Sequence, residues 1–183
     1  MMNRLEIEKK QPPPFESRPI QGVAAIIVAR STNLIYTVVE TTSRPEYGKE
    51  AGMRTIPMET IESGQKVEDA LGQLFEQEVH ENLNKIRVEF IRYYGIGNMV
   101  AARLYLVHVE KNGFLHNGNG YNRNVRAHEV TDPKWMAPED LLRQRVRMGV
   151  PEMIEDYLLG VRGGERECKS LPQVYPSNRT KPG

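Results

Sequence analysis

Cysteine is nearly absent. The one thiol, Cys168, has no second cysteine for an internal disulfide and no CxxC partner for zinc. Such a chain needs no oxidising compartment, and a cytoplasmic location is the expectation. An excess of charge is missing too. Lys and Arg number 25 against 24 Asp and Glu, a formal net charge of +1, so no general field draws in nucleic acid or an anionic membrane. Any affinity for phosphate must come from a local arrangement. No apolar run approaches the roughly 20 residues that span a bilayer, and Met1 to Lys10 lacks the apolar centre of a signal peptide. Of 183 residues, 39% are hydrophobic and 27% charged, which fits one ordinary soluble domain large enough to bury a core.

Residues 1–21 are charged and then proline-rich, with Pro12, Pro13, Pro14 and Pro19, and read as an extended arm. From Gly163 onward Gly, Pro, Ser, Asn and charges dominate, the composition of a flexible tail. The domain is therefore expected over 22–162, with arm and tail available to a protein partner. Val23–Ala29 is continuously apolar, as in a strand buried on both faces. Ser31-Thr32-Asn33 makes a turn, and the β-branched run Leu34–Glu40 is its hairpin partner.

A loop with Arg44, Pro45, Gly48 and Gly52 leads to a short strand at Met53–Pro57. Then the period changes. Val67, Ala70, Leu71, Leu74 and Phe75 fall at i, i+3, i+4, i+7 and i+8, which predicts an amphipathic helix from Lys66 to about Leu83. Strands at Val88–Tyr94 and Ala101–Val109 are expected to pair through a Gly95-Ile96-Gly97-Asn98 turn. Residues 111–128 form an Asn- and Gly-rich loop, and Trp135 and Met136 close onto the core. Pro138 opens a helix, and Val150–Leu159 is the last one. This order predicts an α/β fold with a mixed sheet between helical layers.

The stretch from Pro57 to Gln65, Pro-Met-Glu-Thr-Ile-Glu-Ser-Gly-Gln, continues into a helix through Gln77-Glu78-Val79-His80. It resembles the box of the Nudix hydrolases, G-x5-E-x7-R-E-U-x-E-E-x-G-U, where U is bulky and apolar. Glu62, Gly64 and Ala70 fix the register without a gap. Trp135 to Leu142 resembles the family's later segment, a Trp followed by an acidic helix start. The resemblance covers most of residues 22–160 and implies a Nudix-like α/β/α sandwich, with a homodimer as a common assembly.

The departures carry as much information. Glu59 replaces the first glycine of the box and Gln65 its first glutamate; Gln73 and Leu74 stand for Arg-Glu, Gln77-Glu78 for Glu-Glu, and His80 for the closing glycine. Of the four box glutamates only Glu78 remains. Positions 74, 77 and 78 share one helix face, expected to look into the pocket. Three carboxylates there would suit Mg²⁺ or Mn²⁺, and the metal would activate a water against a pyrophosphate. Leu, Gln and Glu supply too little negative charge. By the scale of supporting partners, each lost group costs on the order of 10–100-fold.

Other residues have two readings each. Glu78 is a leftover metal ligand or a salt-bridged helix carboxylate. Glu59 and Glu62 sit on the loop facing the helix start, and Glu62, Glu78 and Glu129 could form a displaced metal site. Arg44 and Arg54 flank the cleft as phosphate clamps or as surface ion pairs. Gln65 and Gln77 bond a phosphate or base, or are ordinary polar positions. His80 suits a helix end; Tyr121 and Arg123 stack on a base or belong to a mobile loop. Three functions stay open: a protein of this fold with impaired or absent metal-dependent pyrophosphohydrolase activity that binds a nucleotide or nucleoside-diphosphate derivative, a divergent Mg- or Mn-dependent pyrophosphohydrolase using displaced carboxylates, and an assembly subunit with a vestigial pocket.

Overall fold

A computed structural model describes residues 14–79, 87–110 and 129–168. Eight strands and three α-helices follow in chain order. They are β1 (Ile20–Ala29), β2 (Leu34–Glu40), β3 (Arg54–Thr55), β4 (Met58–Ile61), α1 (Val67–Leu74), β5 (Val88–Ile96), β6 (Val100–Val109), β7 (Val130–Met136), α2 (Pro138–Leu141), α3 (Val150–Leu159) and β8 (Glu165–Cys168). β1 and β6 run parallel at the centre, in register from Ile20–Val100 to Ala29–Val109. β5 pairs antiparallel with β6, and β8 adds a parallel edge to β5.

On the other side the sheet forks. β2 meets β1 only at Val28 and Ala29 and then diverges. β4 pairs with the first half of β1, β3 with the far end of β2, and β7 with the outer edge of β2.

The continuous apolar run of β1 explains its central place. Val23, Ala25, Ile27 and Ala29 pack with Leu71, Leu74 and Phe75 of the α1 layer. Ala24, Ile26 and Val28 turn to the opposite core, which holds Leu141 of α2 and Val150, Met153 and Ile154 of α3. Successive side chains of a strand point to opposite faces, so only a strand covered on both sides can bury all seven at 1% exposure or less. The result is the α/β/α sandwich with a mixed sheet that the sequence predicts. Among the described residues no helix is long and apolar enough to cross a membrane.

Four local expectations change. The arm is packed from Phe15 onward: Phe15 is buried in a short 3-10 turn, and β1 already starts at Ile20. Arg18, 2% exposed, donates to the carbonyls of Gly97 (3.1 Å) and Val100 (3.0 Å), pairs with Glu167 and stacks over Phe15. The supposed tail contributes β8, held by that pair and by Arg166 on Asp156. Long-range charge pairing therefore overrides a composition that reads as loop. Residues 1–13 and 169–183 lie outside the described residues.

The β5–β6 turn also moves. Gly95 and Ile96 stay in β5, paired with Ala101 and Val100. A side chain on Gly95 would strike Arg18 and Glu167, so this glycine serves close approach rather than the turn. Finally, α1 ends at Leu74 and continues as a wider π-helical turn over Phe75–Val79. His80 and the loop holding Tyr121 and Arg123 fall outside the described residues.

Candidate functional site

The fork between β1 and β2 opens a narrow cleft on the sheet. Its walls carry Glu40 at the end of β2, Arg44, Tyr47 and Lys49 from the loop after it, Glu59 of β4, Glu129 before β7, and Arg147 before α3. The loop comes close because Gly48 adopts a left-handed φ of 67° and lies against Met148. A Cβ at Gly48 would meet the Met148 side chain at 2.8 Å. The Met148 amide donates to the Gly48 carbonyl at 3.0 Å, which sets Arg147 beside Lys49.

Glu40 is the anchor of the cleft. At 2% exposure it accepts from Arg147 Nη1 at 2.9 Å and pairs with Lys49 Nζ at 3.3 Å. Both cations are 7% exposed. One carboxylate thus serves two buried cations, and a lone buried charge would be far more costly. Lys49 also reaches Glu129 at 3.5 Å, a carboxylate that is 46% exposed. Arg147 Nη2 donates to the Tyr47 carbonyl at 3.1 Å, and its buried Nε has no partner among the described residues. Arg44 is exposed at the mouth, 5.8 Å from the Tyr47 ring centre.

Of the residues singled out from sequence, Arg44, Glu59 and Glu129 meet at this cleft. Arg54 does not line it. Its side chain is buried, donates to Thr37 Oγ1 (3.1 Å) and the Asp132 carbonyl (3.0 Å), and pairs with the Asp132 carboxylate. It ties β3 to β7, so it is neither a surface ion pair nor a phosphate clamp. Glu40, Tyr47, Lys49 and Arg147 went unnoticed in the sequence. Their only local signals are a carboxylate closing a β-branched strand and the Gly48 turn.

The box region has its own geometry. Gln65 Oε1 accepts from the Glu62 amide and Gln65 Nε2 donates to Gln73 Oε1, both at 2.9 Å. The side chain of Gln65 therefore staples the loop to α1. Glu62 is exposed and Gln77 half-buried; the Glu78 side chain lies outside what is described. Leu74 has no exposure and packs into the core between α1 and the sheet. None of the residues lining the cleft, among those described, comes from α1 or from Phe75–Val79. This corrects the expectation that position 74 looks into the pocket. A leucine has no charge to keep hydrated, and the core takes it in.

No family model and no curated protein sequence matches the chain. Solved structures do. A Nudix hydrolase from Nitrosomonas europaea aligns over 80% of this chain and 93% of its own, with 17% identity and a TM-score of 0.55. The Nudix domain of NrtR from Shewanella oneidensis, solved with ADP-ribose, covers 77% and 87% at 11% identity, with a TM-score of 0.56. An Ap4A hydrolase from C. elegans, solved as a binary complex, covers 77% and 96% at 12% identity, with a TM-score of 0.53. This chain has the Nudix fold.

The Nudix fold sharpens the question of a divalent ion. Mg²⁺ and Mn²⁺ need several oxygen donors, mainly carboxylates. Position 74 is a buried leucine, and Gln65 and Gln73 are neutral amides bonded to each other. Among the described residues no three His, Cys, Asp or Glu side chains are grouped to hold a metal ion. The described residues do not fit the group.

Elsewhere two polar groups are tuned by burial. Tyr94, fully buried, donates to Asp156 Oδ2 at 2.8 Å. Burial first, then that bond, push its hydroxyl pKa well above the ordinary tyrosine value. Burial likewise raises the Cys168 thiol. Both belong to the anchoring of β8 and not to the cleft.

Proposed function

We propose that this Nudix-fold protein binds a nucleotide or nucleoside-diphosphate derivative and lacks the metal-dependent pyrophosphohydrolase chemistry of the Nudix box. The observation that carries the reading is Leu74, a core residue with no exposure at a position where the box has a glutamate. The Gln65–Gln73 amide bond supports it, because neither position offers a charge to a metal.

The binding half rests on the cleft. Lys49 leans on the exposed Glu129 at 3.5 Å, longer than an ordinary charge-assisted hydrogen bond. An incoming phosphate would take the place of Glu129 on Lys49 and meet Arg44 at the mouth. Glu40 would keep Arg147 and Lys49 in position from beneath. The enclosed part is about 60 Å³, whereas small-molecule sites commonly span roughly 300–1,000 Å³. It would take one phosphate group of a ligand, with the remainder lying outward along Arg44 and Tyr47. The ADP-ribose and Ap4A named with two compared structures carry such phosphates.

The test is a panel of ADP-ribose, NADH, Ap4A and nucleoside triphosphates, with and without Mg²⁺ or Mn²⁺, read by thermal shift and by product release. A ligand that binds only the native state raises its stability, so a shift without product is expected. Turnover abolished by Glu78→Gln would replace this reading with a displaced metal site. Silence in both readouts would favour an assembly role.

A further inference from the structure

At the far end of the same two central strands lies a second hollow of about 360 Å³, lined by Arg30, Asn33, Arg87, Glu89, Leu106 and His108. Gly22 of β1, at the cleft, and Arg30, the residue after β1 and at the hollow, are eight positions apart. At ~3.3 Å per residue that separates the two by roughly 26 Å. The hollow sits where the parallel strands β1 and β6 both end, the side of an open α/β sheet on which ligands generally bind.

The charges around it do not cancel. Arg30 Nη1 touches Glu110 at 3.1 Å, but both side chains are at least half exposed, and exposed pairs hold weakly. Arg162 Nε meets Glu89 at 3.4 Å, again at the surface. Arg87 has no hydrogen-bond or ion-pair partner among the described residues. The hollow itself is lined by two guanidinium groups, Arg30 and Arg87, against one carboxylate, Glu89, over Leu106, which is 4% exposed.

We propose that this hollow binds a phosphate group, free or as the terminal ester of a small molecule, between Arg30 and Arg87 with His108 beside it. A guanidinium fork matches two phosphate oxygens at once. The site is separate from the β1–β2 cleft and holds whether or not a nucleotide binds there. His108 reports on it. Burial first, and then Arg30, Arg87 and Arg162, lower its pKa, against the opposing pull of Glu89. A dianion seated between the arginines reverses the field at the ring, so the imidazole takes up a proton as the anion binds.

The experiment follows the His108 ring signals by NMR against pH, assigned with His108→Asn, at matched ionic strength. The probes are inorganic phosphate and glycerol 3-phosphate, with chloride as the control. Phosphate should raise the His108 pKa saturably. The Arg30→Gln/Arg87→Gln variant, altered only at exposed side chains, should weaken phosphate binding by about tenfold or more. Arg44→Gln, at the other cleft, should leave it unchanged. If only the ester acts, the ligand is an ester; free phosphate acting alike assigns the phosphate group itself. The proposal is overturned if chloride produces the same shift, if the double variant titrates as the parent protein does (an adventitious ion only), or if Arg44→Gln abolishes the effect.

Discussion

Replacing Glu40 with glutamine tests the architecture of the cleft without changing its shape. The carboxylate is 2% exposed and serves Arg147 at 2.9 Å and Lys49 at 3.3 Å. Removing one partner of a buried pair typically costs about 3–5 kcal/mol, because the other charge stays behind unpaired. Lys49 can still lean on Glu129, 3.5 Å away, which places the expected loss at the lower end, about 3 kcal/mol. For a domain of this size that is a fall in Tm of roughly 6–12 °C. Urea unfolding and calorimetry would read it.

Arg145→Gln is the control. Its pair with Glu50 is about half exposed on both sides, and such pairs are worth about 0–1 kcal/mol. If Glu40→Gln lies within about 0.5 kcal/mol of the parent protein, or costs no more than the control, the buried network does not hold the cleft together. Replacing all three members with Glu40→Leu, Lys49→Met and Arg147→Met should be near neutral in stability, since no charge is then stranded. It should still abolish ligand-induced stabilisation.

Leu74→Glu should cost at least about 3 kcal/mol in urea unfolding, since it removes a buried apolar side chain and strands a carboxylate in the core; a stable variant that gained Mg²⁺ affinity would show that position 74 faces a pocket after all. His108 has a folded pKa below its unfolded value of about 6.5, so the unfolded chain takes up the proton first as pH falls. The stability present above that value should therefore drain away below it, and His108→Asn should flatten that part of a pH–stability curve. Cys168, its thiol pKa raised by burial, should resist iodoacetamide at pH 8 in the native protein and react readily in urea.

The legible parts of the fold are those set by local pattern. The run Val23–Ala29 has a single reading, and β1 is the strand buried on both faces. The 3.6-residue period at Val67–Phe75 marks the face that α1 packs on the sheet, and α3 spans Val150–Leu159 as the sequence predicts. What escaped was set by distant partners. Glu40 and Arg147 lie 107 positions apart, and nothing near either residue announces the other. Arg18 and Arg166 hold segments whose composition reads as arm and tail, through ion pairs with Glu167 and Asp156 that no local pattern announces.

The box illustrates the difference. The resemblance singles out positions 65, 73 and 74, but only packing reveals that Leu74 lies in the core while Gln65 and Gln73 bond each other. Arg44, Glu59 and Glu129 were each legible as candidates, but the sequence grouped Glu129 with Glu62 and Glu78, and Arg44 with Arg54, rather than with one another. Lys49 was not legible, since a lysine in a glycine-containing loop is ordinarily a solvated surface charge.

Binding without cleavage is tested most directly by titrating ADP-ribose into the full chain in a calorimeter, once with EDTA and once with Mg²⁺, and then analysing the cell contents. Heat of binding in both, with ADP-ribose recovered intact, is the expected result. AMP and ribose 5-phosphate appearing only with Mg²⁺, and not from the Glu78→Gln protein, would contradict it.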